Sequence, residues 1–152
     1  MTDSPLKDIG PDKSLLIVDD DEPFLKRLAR AMEKRGFEVE TAGSVAAGTA
    51  IATVRTPAYA VVDLRLGDGN GLDVVERIRE RREDSRVVVL TGYGAIATAV
   101  AAVKIGATDY LSKPADANDV TAALLASDDE LPPPPENPMS ADRVRWELIQ
   151  RV

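Results

Sequence analysis

Asp19, Asp20 and Asp21 end the apolar run Leu15-Leu16-Ile17-Val18, and Asp63 ends a second run, Ala60-Val61-Val62. Short apolar runs bounded by acids are the pattern of strands buried in a parallel sheet. In such sheets the chemistry gathers at the carboxyl ends of the strands. If the two strands are neighbours, several carboxylates converge on one small volume. Like charges that close repel unless a cation lies among them. The residue types therefore point to a site for Mg²⁺ and a phosphoryl group.

Within that site Asp63 is the candidate nucleophile, because a carboxylate can attack phosphorus and form an aspartyl phosphate. Mg²⁺ takes near-octahedral oxygen ligands, and Asp20 and Asp63 could supply two, with Asp19 nearby. Taken singly, a strand-end acid can equally cap the turn that follows it. Lys113, before Pro114 and just after the fifth apolar segment, can reach across the same edge and offset phosphoryl charge. It can also be an ordinary surface lysine. Thr91, in Thr91-Gly92, presents a hydroxyl there or merely starts a turn. Tyr110 is either plain core or a ring with two resting positions.

The totals narrow the classes. The 152 residues hold one ordinary domain and a short appendage. There is no cysteine, which excludes thiol chemistry and disulfides and fits a reducing cytoplasm. There is no histidine, which removes the usual general base and Ser-His-Asp arrangements. A net charge of −7 argues against nucleic-acid binding by this stretch. No segment has the apolar length of a membrane span or signal peptide.

Residues 1–13 read as a disordered lead-in. Strands are expected at Ser14–Val18, Phe37–Glu40, Tyr59–Val62, Val87–Leu90 and around Tyr110-Leu111. Helices are expected at Glu22–Arg35, with Phe24, Leu28 and Met32 inward, at Ser44–Val54, and after the loop Gly67-Asp68-Gly69-Asn70-Gly71. Two more are expected at Ala95–Ile105 and Asp116–Ala126. Five strands alternating with five helices specify a doubly wound α/β domain over 14–126. Gly92-Tyr93-Gly94-Ala95-Ile96-Ala97 fits the loose dinucleotide pattern, but the first βα turn carries acids where phosphates need glycine. From Ala95 to Val103 only Thr98 is polar, which suits a helix that is fully buried or covered by a partner, or one that simply uses alanine's high helix propensity.

After Ala126 the composition changes. A proline-rich linker is expected over 127–139, with Pro132–Pro135 forming a semi-rigid spacer. Ser140 then caps the start of a further helix over 140–152, expected to be the first piece of a truncated effector module.

The runs "LLIVDDD", "AVVDLRLGDGNG", "VVVLTGYG" and "ATDYLSKP", in this order and spacing, resemble the receiver domain of two-component response regulators. The resemblance implies a flavodoxin-like (βα)5 fold with sheet order 2-1-3-4-5, an order for which a chemotaxis receiver is a standard illustration. It implies Asp63 as phospho-acceptor and Asp19, Asp20, Asp63 and the Arg65 backbone carbonyl as Mg²⁺ ligands. Thr91 would bond a phosphoryl oxygen, Lys113 would pair with the phosphate, Tyr110 would be the switch aromatic, and Lys113-Pro114 would be cis. Gly67 departs from the proline usual in receivers. "GPDKSLLIVDDDEPFLKRLARAMEKRGFEVE" and "PPPPENPMSADRVRWE" are similar to the RegA/PrrA/ActR group, redox-responsive transcription regulators with a Fis-type helix-turn-helix beyond the linker.

On this reading the partner is a sensor histidine kinase, and phosphorylation drives homodimerisation or releases a DNA-binding module. DNA is contacted only through the missing part, and the chain is a signalling protein rather than an enzyme. Two rivals stand beside it. Asp19-x-Asp21 after the first strand fits a haloacid-dehalogenase-type phosphatase with Asp19 as nucleophile. A receiver-like module that binds partners without taking phosphate is the other.

Overall fold

A computed structural model describes residues 10–92 and 96–126. The expected linker over 127–139 and helix over 140–152 lie outside the described residues, as do residues 1–9 of the lead-in and Tyr93 to Ala95 of the loose dinucleotide pattern.

The chain runs β1 (Ser14–Val18), α1 (Glu22–Lys34), β2 (Glu38–Ala42), α2 (Val45–Val54), β3 (Tyr59–Asp63), β4 (Arg65–Leu66) and β5 (Gly69–Asn70). It continues with α3 (Leu72–Arg81), β6 (Arg86–Thr91), α4 (Ile96–Lys104), β7 (Asp109–Ser112) and α5 (Ala117–Leu125). Five strands form one parallel sheet in the order β2-β1-β3-β6-β7. Counted among the sheet's own strands this is 2-1-3-4-5, the doubly wound flavodoxin-like arrangement.

The sheet is buried on both faces, and strand period sorts its side chains between them. Leu16, Val18, Ala60, Val62, Val87 and Val89 pack with α2, α3 and α4 residues such as Ala52, Val74, Ile78 and Ala102. Leu15, Ile17, Val61, Val88 and Leu90 pack with Leu25, Leu28, Met32, Val120 and Leu124 of α1 and α5.

Local chemistry explains where the helices begin. The Asp21 carboxylate accepts from Phe24 N–H and caps α1, with Pro23 in its first turn. Ser44 caps α2 through Ala47 N–H. Asp116 and Asp119 form a capping box on α5.

Two details differ from expectation. The inner face of α1 is Leu25, Leu28 and Met32, leaving Phe24 half-buried at its rim. The loop after β3 contains a small antiparallel hairpin, with Arg65 opposite Asn70 and Leu66 opposite Gly69.

Candidate functional site

Register places the acids. Val18 lies opposite Val62 in the β1–β3 pairing, so the next residues, Asp19 and Asp63, emerge side by side at the carboxyl edge. Asp19 N–H still donates to Ala42 O at 3.0 Å, which fixes the chain as it leaves the sheet. One carboxylate oxygen from each of Asp19, Asp20 and Asp63 lies within 4.8 Å of the others. Asp19 and Asp63 are buried and Asp20 is exposed, so the cluster has a floor and an open side.

Lys113 completes the floor. Its ammonium lies 3.0 Å from both Asp19 Oδ2 and Asp63 Oδ2 and 5.0 Å from the centre of the Phe24 ring. Backbone pairing brings it there: Thr91 lies opposite Ser112, and Lys113 N–H donates to Thr91 O at 2.8 Å. The Lys113–Pro114 bond is cis. Burial alone would lower the pKa of the ammonium, but its contacts with Asp19 and Asp63 outweigh burial and hold it above the ordinary lysine value.

Asp19 goes the other way from a typical carboxylate. Burial raises its pKa and the Asp63 charge adds to this, while the Asp21 amide and Lys113 pull it down without cancelling the rise. Asp19 Oδ1 accepts from Asp21 N–H at 2.9 Å. Asp19 Oδ2, though ion-paired with Lys113, accepts no well-directed hydrogen bond despite being wholly buried. A buried carboxylate oxygen with spare acceptor capacity beside two more carboxylates suits a hard divalent cation.

Asp63 is fixed by its loop. Its Oδ1 accepts from Arg65 N–H at 3.1 Å, so the backbone of Arg65 is held against the Asp63 carboxylate. Thr91, buried at the end of β6, stands at the same edge, with its hydroxyl 3.4 Å from Gly92 O. Thr91 lines a cavity of about 200 Å³ together with Leu64, Arg65, Gly69, Asn70 and Thr98. Tyr110 is buried in β7 opposite Val89 and belongs to the cluster under α2, α3 and α4.

Thus Asp19, Asp20, Asp63 and Lys113 come together, with Thr91 and the Arg65 backbone adjoining, while Tyr110 lies in the core. Asp21 is exposed and its Oδ1 caps α1, so it stands outside the group formed by Asp19, Asp20, Asp63 and Lys113.

Sequence reasoning missed two supporting residues. Phe24 packs against the core cluster under α1 and α5, as its spacing predicts, and in addition offers its ring to Lys113, which the sequence does not signal. Gly71 was only a loop residue, yet a Cβ there would lie 2.2 Å from Asp63 O and 2.8 Å from Val62 Cγ1. Only a glycine lets α3 start this close to β3. The density of glycine in Gly67–Gly71 was the available signal.

Comparison with known proteins agrees with this geometry. The family model of the response regulator receiver domain matches residues 15–125. The photosynthetic apparatus regulatory protein RegA of Cereibacter sphaeroides is 81% identical over 145 residues, covering 95% of this chain and 79% of that protein. The acid tolerance regulatory protein ActR of Sinorhizobium medicae is 72% identical over 144 residues, covering 95% and 74%. Among solved structures, a response regulator from Burkholderia pseudomallei with a phosphorylated aspartic acid, calcium ion and citrate has a TM-score of 0.71. It is 36% identical, with 92% of this chain and 75% of that chain covered. Two buried carboxylates bridged by a strand-end lysine, a third open beside them, and a family model matching residues 15–125 lead to one conclusion: this chain belongs to the response regulator receiver domain family.

Proposed function

We propose that this chain accepts a phosphoryl group on Asp63 from a sensor histidine kinase and passes the change to a DNA-binding module of a transcription regulator. The observation that carries the reading is the double ion pair of Lys113, which holds Asp63 at the open acidic edge with a cation ready beside it. Receiver domains bind Mg²⁺ at an acidic pocket, and Asp19, Asp20 and Asp63 supply one here. We assign Asp19, Asp20, Asp63 and the Arg65 carbonyl as its ligands. When bound, Mg²⁺ offsets negative charge on the attacking and acceptor oxygens.

An Asp63 carboxylate oxygen attacks phosphorus, forming an O–P bond as the donor's N–P bond breaks and the imidazole leaves with the electron pair. Lys113 leaves its pairing with the carboxylates to meet the new phosphoryl oxygens. Thr91 turns its hydroxyl toward the phosphoryl group, and Tyr110 follows into the space that Thr91 leaves. The phosphate can drive this only because it binds one arrangement better than the other. The α4 surface, where Thr98 and Lys104 are the polar positions, then becomes the face for a second copy.

The relatives' names support a regulatory output: one regulates the photosynthetic apparatus, another acid tolerance. DNA contact belongs to a module beyond residue 126, and the setting is cytoplasmic. Among the described residues no helix is long and apolar enough to cross a membrane.

The test is phosphorylation by acetyl phosphate with Mg²⁺ in wild type and Asp63→Asn. Acyl phosphate should form in the first and be absent from the second. Persistence of the label in Asp63→Asn would sink the assignment and favour the phosphatase-like reading.

A further inference from the structure

The loop that carries Arg65 is packed into the core through Leu64 and Leu66, and its exposed tip is tied to a distant helix by one side chain. Asp68 sits at the tip of the β4–β5 hairpin and reaches α2 across more than twenty residues of sequence. Its Oδ1 accepts from Val45 N–H at 2.8 Å and its Oδ2 from Ala46 N–H at 3.1 Å. These are the first two amides of α2, which have no partner within the helix. Both bonds favour the charged carboxylate and lower its pKa.

Ser44 takes Ala47 N–H and leaves the Val45 and Ala46 amides to Asp68, so the capping of α2 is completed from the loop and not from the helix's own segment. What Asp68 adds is a tie between α2 and the acceptor loop. From the tip the hairpin runs back to Arg65, whose N–H holds Asp63 Oδ1 at 3.1 Å. Gly67, on the same tip, lies beside Asp20: a Cβ there would be 3.6 Å from Asp20 Oδ2. Gly69, at φ +152°, brings the returning strand against Val45. Two glycines flank Asp68, so the backbone of the tip is intrinsically loose.

From this geometry we infer that Asp68 is a positioning residue for phosphoryl uptake, clamping the acceptor loop to α2 and so fixing Arg65 and the Asp63 carboxylate for metal and donor. The inference rests on Asp63 being the acceptor. Groups that orient metal ligands from behind typically change affinity or activity by about 10–100-fold when removed.

The test compares wild type, Asp68→Ala, Asp68→Asn and Ser44→Ala. Two quantities are read: Mg²⁺ affinity by calorimetry, and the rate of acetyl phosphate uptake at fixed Mg²⁺. Ser44→Ala weakens the same helix end without touching the loop. Asp68→Ala should bind Mg²⁺ about tenfold more weakly and slow uptake by a similar factor. Ser44→Ala should change either by less than about threefold, and Asp68→Asn, keeping one acceptor oxygen, should fall between wild type and Asp68→Ala. Asp68→Ala matching Ser44→Ala in both quantities would overturn the clamp. Wild type that binds Mg²⁺ yet takes no label on Asp63 would instead defeat the acceptor reading, with the Mg²⁺ affinities still deciding the clamp.

Discussion

Lys113 satisfies two carboxylates with one ammonium, and that economy sets what its loss would do. Lys113→Met leaves Asp19 and Asp63 facing each other without a cation, and Asp19 has no exposure through which water could compensate. The variant should lose about 1–3 kcal/mol of stability in metal-free buffer. Mg²⁺ should restore part of the loss, because it supplies charge to the same oxygens. Thermal melts with and without Mg²⁺ check this, and a deficit that Mg²⁺ leaves unchanged contradicts it. The residue types of this site were legible in the sequence: acids ending two apolar runs, and a lysine after the last. The double contact of Lys113 was not, because it depends on strand register between segments fifty residues apart. Asp21 is legible in the sequence as a bystander of the cluster. An Asp before Glu22-Pro23 already carries the signal of a helix cap.

At the scale of elements, the sheet holds the acids and the loop after β3 aims them. Strands of continuous Val, Ile and Leu announced a parallel sheet, and their order followed from the resemblance and not from periodicity. The hairpin of β4 and β5 was missed because each strand is two residues long, too short for any period to show. The α1 inner face was misread by one position: i, i+3, i+7 spacing places Leu25, Leu28 and Met32 inward as well as i, i+4, i+8 places Phe24. Gly71 is the element-scale constraint on the site. Gly71→Ala should cost about 1–3 kcal/mol by overpacking, and it should also slow phosphoryl uptake, since the displaced atom is the backbone oxygen of Asp63. Denaturation paired with an uptake assay reads both effects. Unchanged uptake in a destabilised variant would confine Gly71 to packing.

Across the described residues, the carboxyl edge carries the acidic cluster and residues 10–12 bind against the opposite edge. Gly10 N–H donates to the Tyr59 hydroxyl oxygen, and Asp12 binds Ser14 and, at 2.7 Å, Arg82. Hydrogen bonds from the Ser14 hydroxyl and amide, with Arg82 beside them, push the Asp12 pKa down to about 2. A carboxyl depressed in the folded state contributes stability above its unfolded value of 3.8, and loses it as pH falls toward 2. The pair is partly exposed, so Asp12→Asn should cost only about 0.5–1 kcal/mol at neutral pH. The difference from wild type should close between pH 4 and 2, as urea titrations across that range would show; a deficit independent of pH would contradict the charge argument. Residues 10–13 were read as part of a disordered lead-in, because their Pro, Asp and Lys content gives no hint of contacts made with Arg82 and Tyr59 far along the chain.

Asp63, and not Asp19, is the proposed site of phosphoryl uptake. After exposure of the wild-type protein to acetyl phosphate and Mg²⁺, peptide mapping by mass spectrometry should place the acyl phosphate on the peptide containing Asp63. A label on the peptide containing Asp19, with Asp63 unmodified, would contradict it.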